Sequence, residues 1–311
     1  MYTNFNSVEI EEISQEYSIG EIIKYYPMSG GFTNSSYFIQ TMKQKYILTI
    51  SEGKTEQQVV MIANLLNHLQ QHHFQTNEVI QSRNEEFVFL FNNKPIYLKK
   101  FLEGTIAEKP NVKFIEQLGT QIAKLNNIPV PDTISSVHPY GLSYFDEVIS
   151  TDLDHPYIEW LRTKSNYLQE SIPDHLPKGL VHGDIFPDNL IQTEGNLKAI
   201  IDFEEFSNSP KIFDLGMATI GMFSDFDAID MNIPRALIKG YQKVRLLDSL
   251  ERQNLKLFII YAAVATSFWR FRQFHILFPN LDKSRRYEQM VNFADSFFVM
   301  DNYKFMSEIF D

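Results

Sequence analysis

The texture of the chain changes once, near FLEG at residues 101 to 104. Before that point the runs IIKYYPM, SYFIQTM, KYILTI, EEFVFLF and KPIYLKKF are short and rich in β-branched and aromatic residues, as strands are. Only TEQQVVMIANLLNHLQQH (55 to 72) spaces its apolar residues helically, with Val59, Ile62, Ala63, Leu66 and Leu69 on one face. After it come long amphipathic stretches such as VKFIEQLGTQIAKLNN (112 to 127) and DHPYIEWLRTKSNYLQESI, interrupted by a strand-rich piece at 180 to 203. A small sheet with one helix followed by a larger helical body predicts an α+β fold, with a first lobe at residues 1–101 and a second at 102–311. The Pro-rich IPVPDTISSVHPYG (128 to 141) is expected to be a loop.

Composition narrows the function classes. With 311 residues, 44% of them apolar, the chain can build a substantial core. No cysteine is present, which excludes disulfides, thiolate metal sites and a cysteine nucleophile. A net charge of −11 with no basic patch beyond short runs such as KSRR (283 to 286) argues against nucleic acid as a partner. Glutamates fill the N-terminus where a signal peptide needs basic and apolar residues, and the apolar run LFIIYAAVATSF (257 to 268) is too short to span a bilayer. The expectation is a cytoplasmic protein without a membrane partner. No motif speaks to oligomeric state.

The chemistry concentrates in LVHGDIFPDNLIQTEGNLKAIIDFEEF, residues 180 to 206. An apolar pair, Leu180 and Val181, leads into a polar loop holding Asp184. Asn189 then begins the next strand, and Ala199 to Ile201 form another that ends on Asp202. A hairpin of this kind presents Asn189 and Asp202 at one rim, beside Asp184. Carboxylate and carboxamide oxygens so arranged suit Mg²⁺, a hard cation that keeps several waters and takes substrate phosphates as further ligands. Phosphoryl transfer calls for this set: an Asp to orient the attacking hydroxyl, an Asn five residues on, and an Asp after the next strand. HGD or PDN alone would be ordinary turn chemistry; the joint pattern is far more specific.

HGDIFPDN, IDFEEF and the downstream FDLGMA together resemble the motif set of the aminoglycoside phosphotransferase and choline kinase superfamily, and the sequence looks most like the type II homoserine kinases. The similarity extends to GGFTNSSYFIQTMKQKYILTISE, KPIYLKKFLEG and LIKGYQKVRLLDSLE, so it covers most of the chain. The resemblance implies a protein-kinase-like two-lobed fold, with a small antiparallel-sheet lobe that binds nucleotide and a larger, mainly helical lobe that carries catalysis. It implies ATP and Mg²⁺ as cofactors and a small-molecule alcohol, L-homoserine foremost, as phosphoryl acceptor. By the same resemblance His182 supports the loop, Asp184 is the catalytic base, Asn189 and Asp202 hold the metal, and Asp214 is structural. Choline, ethanolamine or an aminoglycoside are the rival acceptors, and a catalytically silent nucleotide-binding relative is the rival class.

In the first lobe, Gly30 and Gly31 permit a tight turn whose amides can approach phosphate, with Asn34 and Ser35 as further donors. Backbone groups near Lys100 and Leu102 are expected at the adenine edge. Thr49 stands where protein kinases keep a phosphate-binding lysine, and type II homoserine kinases resemble this chain in that respect. For the acceptor, Glu204 and its neighbour Glu205 could take a cationic group, and Arg270 or Arg272 could fork onto a carboxylate.

Overall fold

A computed structural model describes residues 3–28, 34–108, 110–223 and 229–310. Gly30, Gly31 and Phe226 lie outside the described residues. The chain forms two compact units, Met1–Gly104 with Ala199–Ile201, and Thr105–Lys198 with Asp202–Asp311.

The first unit contains α1 (Ser7–Glu16), β1 (Ile22–Pro27), β2 (Asn34–Thr41), β3 (Lys45–Ser51), α2 (Glu56–Gln71), β4 (Val79–Ile80), β5 (Val88–Phe91) and β6 (Lys94–Lys100). The strands make one antiparallel sheet in the order β1-β2-β3-β6-β4, with β5 also paired to β6. Alternation along the strands decides which side chains share a face. Tyr37 and Ile39 of β2, Tyr46, Leu48 and Ile50 of β3, and Ile96 and Leu98 of β6 form one core with Ile10, Ile13 and Tyr17 of α1. The intervening residues Thr49 and Ser51 therefore point to the opposite side of the sheet. Helix α2, started by a Thr55–Gln58 capping box, packs on β4, β5 and β6.

The second unit holds β7 (Thr105–Ile106), α3 (Val112–Asn126), α4 (Asp146–Ile149), α5 (Pro156–Ser171), β8 (Lys178–Val181), β9 (Leu190–Thr193), the start of β10 (Asn196–Ile200), whose last two residues belong to the first unit, β11 (Ser207–Pro210), α6 (Ile212–Met222), α7 (Asn232–Tyr241), α8 (Ser249–Phe271), α9 (Arg286–Val299) and α10 (Asn302–Phe310). Helix α8 runs on into one π-helical stretch, Arg272–Leu277. Its apolar run is buried on nearly every side, from Leu257 to Phe268, by packing against α6 and α9. No helix of the described residues is long and apolar enough to cross a membrane. Phe213 and Phe223 are core residues. Two small sheets carry the loops of interest: β10-β9-β7, and the antiparallel pair β11-β8 in which Val181 faces Ser207.

Candidate active site

Strand β8 ends at Val181, and the chain turns through His182-Gly183-Asp184 before a single 3-10 turn, Pro187–Asn189, delivers Asn189 to the start of β9. The turn between β9 and β10 is closed by Glu194 and Gly195, both at positive φ, which returns the chain so that Asp202 follows β10. Asn189 and Asp202 thus flank the same end of the hairpin. Asp202 itself is held at φ +67°, a left-handed conformation that costs a non-glycine residue free energy and is concentrated at functional sites.

The loop is fixed from beneath. Asp214, fully buried in the first turn of α6, accepts the His182 N–H at 2.8 Å on one oxygen and the Gly183 N–H at 2.9 Å on the other. Burial pushes its carboxyl up to about 7, against the pull of those two amides. His182 is also fully buried; its Nδ1 accepts the Asp184 N–H at 3.1 Å, and its ring packs on Phe203. Gly183 sits at φ +85°, and a Cβ there would come within 2.5 Å of the Glu205 carbonyl and 2.6 Å of the His138 ring, so only glycine fits.

Asp184 is half-buried and is held on one carboxylate oxygen. Asn189 Nδ2 donates to its carbonyl at 2.8 Å and to Oδ2 at 3.0 Å, while Oδ1 lies 3.5 Å from the Tyr140 hydroxyl. Burial, then the charges of Glu205, Asp202 and Asp188, push its carboxyl up to about 8, with the Asn189 bond opposing. Tyr140 donates to the Gly183 carbonyl at 2.6 Å; burial and the neighbouring carboxylates hold its phenol well above the ordinary range, so it keeps its proton. His138 packs against both Tyr140 and Phe213, and burial pushes its imidazole down to about 3, so it is a neutral wedge. Sequence reasoning passed over Tyr140 and His138 because they lie in the Pro-rich loop; the HPYG turn signal was visible, but its tertiary partner was not.

Of the two acceptor-side arginines, Arg272 is tied to Glu147, Nε to Oε2 at 2.6 Å. Arg270 is half-buried at the end of α8. Its Nη1 donates to the Arg286 carbonyl at 3.0 Å and to Gln289 Oε1 at 2.7 Å, and the guanidinium carbon lies 5.9 Å from the Phe186 ring centre. Burial and then the charge of Arg286 push it down to about 10, while Asp184, Tyr140 and Asp188 act in the other direction. Of the two glutamates, Glu205 is the one whose charge bears on Asp184; Glu204 is half-buried in the adjoining turn.

Two expectations in the first unit need correction. Ser35 is buried on the α1 side of the sheet, where its hydroxyl donates to Glu52 Oε1 at 2.5 Å and accepts the Thr3 N–H at 3.0 Å, so it is committed to the fold. Lys100 has its N–H on the Glu78 carbonyl at 2.8 Å, its carbonyl bonded by Asn77 Nδ2 at 3.1 Å, and its ammonium paired with Glu78, so its amide cannot donate to an adenine. Leu102 lies beyond the last ladder pair of β6. Asn34 pairs opposite Ser51 and shares the other side of the sheet with Thr49; the Thr49 and Ser51 hydroxyls are buried with no hydrogen-bond partner among the described residues.

A homoserine kinase of Nitrobacter hamburgensis is 27% identical over 267 residues, covering 83% of this chain and 81% of the relative. Among solved structures, the amicoumacin kinase hAmiN in complex with AMP-PNP, Ca²⁺ and Ami superposes with a TM-score of 0.75 at 14% identity, covering 97% of each chain. A microcompartment-associated aminopropanol kinase superposes with a TM-score of 0.71 at 15% identity, over 97% of this chain and 98% of that one. The structural likeness bears out the expected kinase-like fold. The model of the phosphotransferase enzyme family matches residues 24–248, most of the chain, and the chain belongs to that family.

Proposed function

We propose that this chain is an ATP-dependent kinase that transfers the γ-phosphoryl group to the side-chain hydroxyl of L-homoserine. The observation that carries the reading is the loop in which Asp214 anchors the His182 and Gly183 amides while Asn189 orients Asp184. The homoserine kinase relative supports the choice of acceptor.

Asp184 Oδ2 is taken by Asn189, and among the described residues Oδ1 meets only the distant Tyr140 hydroxyl, so Oδ1 is the oxygen open to an acceptor O–H. As the acceptor oxygen forms its bond to the γ-phosphorus, the bond from that phosphorus to the β–γ bridging oxygen breaks, ADP departs, and the hydroxyl proton passes to Asp184. Holding the hydroxyl in line is the larger contribution, since phosphoryl transfer leaves the protein little covalent work.

The donor set fits Mg²⁺. Asn189 has its amide nitrogen committed to Asp184, which leaves its carbonyl oxygen as the atom to ligate a metal, and Asp202 offers an exposed carboxylate. Two hard oxygen ligands are what an ion completed by waters and phosphate oxygens needs, and the charges of Glu205, Asp202 and Asp188 around Asp184 make the loop acidic. When bound, the ion would neutralise phosphate charge. In the first unit, Asn34 and the orphaned Thr49 and Ser51 hydroxyls are the polar groups proposed to face the nucleotide, with the Leu102 backbone for the base and Gly30 and Gly31 for the phosphates.

The test is ATP consumption with L-homoserine, choline and kanamycin, repeated with Asp184→Asn. Homoserine-dependent turnover should disappear in the variant while ATP affinity stays within about threefold, because Asp184 acts on the acceptor. Loss of ATP binding with that change, or turnover driven by choline or kanamycin but not by homoserine, would overturn the reading.

A further inference from the structure

Arg270 is a cation placed at an acidic site with nothing anionic to hold. Among the described residues no carboxylate lies within ion-pairing distance of it, although Asp184 and Asp188 are in electrostatic reach. A guanidinium carries five N–H groups. The two on Nη1 are occupied by the Arg286 carbonyl and Gln289 Oε1, which fix the plane of the group from α9. The Nε and Nη2 edge has no hydrogen bond among the described residues, and this is the edge that takes a carboxylate with two parallel bonds. Arg286 stands close enough that its charge disfavours that of Arg270. A half-buried arginine facing another arginine is unfavourable for the free protein, and an anion between or beside them relieves it.

The geometry points to Arg270 as the residue that selects the acceptor by its carboxylate: the hydroxyl lies at Asp184 Oδ1 while the carboxylate of the same short molecule is forked by the Nε and Nη2 edge. The inference depends on the proposed homoserine kinase reading and adds to it the residue that discriminates a hydroxy acid with a free carboxylate from a cationic alcohol. Phe186, two residues after Asp184 and under the guanidinium, ties the two subsites into one wall. Arg272, two residues along the chain, has its Nε paired with Glu147, so the edge that would fork a carboxylate is already engaged. The other anion available at such a site is the phosphoryl group in transfer, and the two are separable by experiment.

The experiment compares L-homoserine with 3-amino-1-propanol, which keeps the hydroxyl and the amine but lacks the carboxylate. Steady-state kinetics are measured for the wild type, Arg270→Gln, Arg270→Lys and, as control, Arg272→Gln. The wild type should prefer homoserine in kcat/KM, and Arg270→Gln should reduce that preference by about 100-fold or more, mostly through KM, as expected for a lost buried charge-assisted pair. Arg270→Lys should fall between, because an ammonium cannot fork. Arg272→Gln should leave the preference within about threefold. An Arg270→Gln variant that slows both acceptors by the same factor would assign the guanidinium to the phosphoryl group and overturn the inference. Calorimetric titration with L-homoserine and its methyl ester, without ATP, makes the test independent of turnover. Wild-type protein that binds both equally, or neither, overturns the inference. Discrimination by binding without ATP consumption would uphold the carboxylate site and overturn the kinase reading instead.

Discussion

Replacing Tyr140 by Phe tests whether the loop is held where catalysis needs it or whether the tyrosine takes part in proton transfer. The substitution removes one oxygen and nothing else, since the ring keeps its contact with His138, centroids 4.3 Å apart. What is lost is a 2.6 Å bond to the Gly183 carbonyl and a long approach, 3.5 Å, to Asp184 Oδ1. A neutral hydrogen bond of this kind contributes about 1 kcal/mol net, and a buried carbonyl left without its donor brings the cost to about 1 to 2 kcal/mol. If all of that is felt in the placement of Asp184, the rate falls by about 5- to 30-fold. Because burial and nearby carboxylates hold the phenol well above its ordinary range, it is a donor at every working pH. The pH profile of kcat should therefore keep its shape. The assays are the urea midpoint and homoserine-dependent ATP consumption from pH 6 to 9. A rate loss beyond about 1,000-fold, or an altered pH profile at unchanged stability, would show that the phenol carries a proton and refute the positioning role.

Two further substitutions probe the scaffold. Gly240→Ala would place a Cβ 1.9 Å from the Glu116 carbonyl, a backbone atom of α3, so α7 must shift off α3; a loss of about 3 kcal/mol or more is expected, and a thermal midpoint within about a degree of wild type would contradict it. Glu52→Gln addresses the network around Ser35. Burial works against the Glu52 carboxylate, but bonds from Lys94, Ser35 and Thr3 outweigh it and pull the carboxyl from an ordinary 4.5 down to about 2. A depressed folded pKa contributes stability above the unfolded value and loses it as pH falls through the folded one. After allowance for solvent screening, the variant should be about 1 to 2 kcal/mol less stable at pH 7, with the gap closing between about pH 4.5 and 2; a gap that widens on acidification would refute the assignment.

The fold was legible wherever burial imposes a period. Strands β2, β3 and β6 read as strands from their β-branched and aromatic content, one face packing with α1 in a common core, and α2 and α3 show apolar stripes. Helix α1 escaped notice because its apolar face amounts to Ile10 and Ile13 set among four glutamates, and its start depends on an Asn6–Glu9 capping box rather than on hydrophobic pattern. The two-residue strands β4 and β7 are too short to show any period, and β11, with the sequence SNSP, becomes a strand only through its register with β8. Pairing of that kind is a tertiary fact, so local composition does not announce it.

The site divides along the same line. Asp184, Asn189 and Asp202 belong to one hairpin and its approach, so spacing alone brings them together, and Asp184 does bond Asn189. Ser35 was misjudged for an instructive reason. In a strand, neighbours face opposite ways, so Asn34 and Ser35 cannot serve the same site, and the pairing of Ser35 with Ile50 puts it on the core side. Arg270 and Arg272 pose the helical version of the problem: two residues apart on a helix is more than half a turn, so one guanidinium points away when the other points in. Which one does so depends on where α9 and Glu147 lie, and neither is written near RFR. Gln289 and Arg286 hold Arg270 toward Phe186, while Glu147 draws Arg272 off. A chain with a net charge of −11 has little difficulty attracting cations. The informative group is therefore the arginine that, among the described residues, has no carboxylate partner beside so acidic a loop.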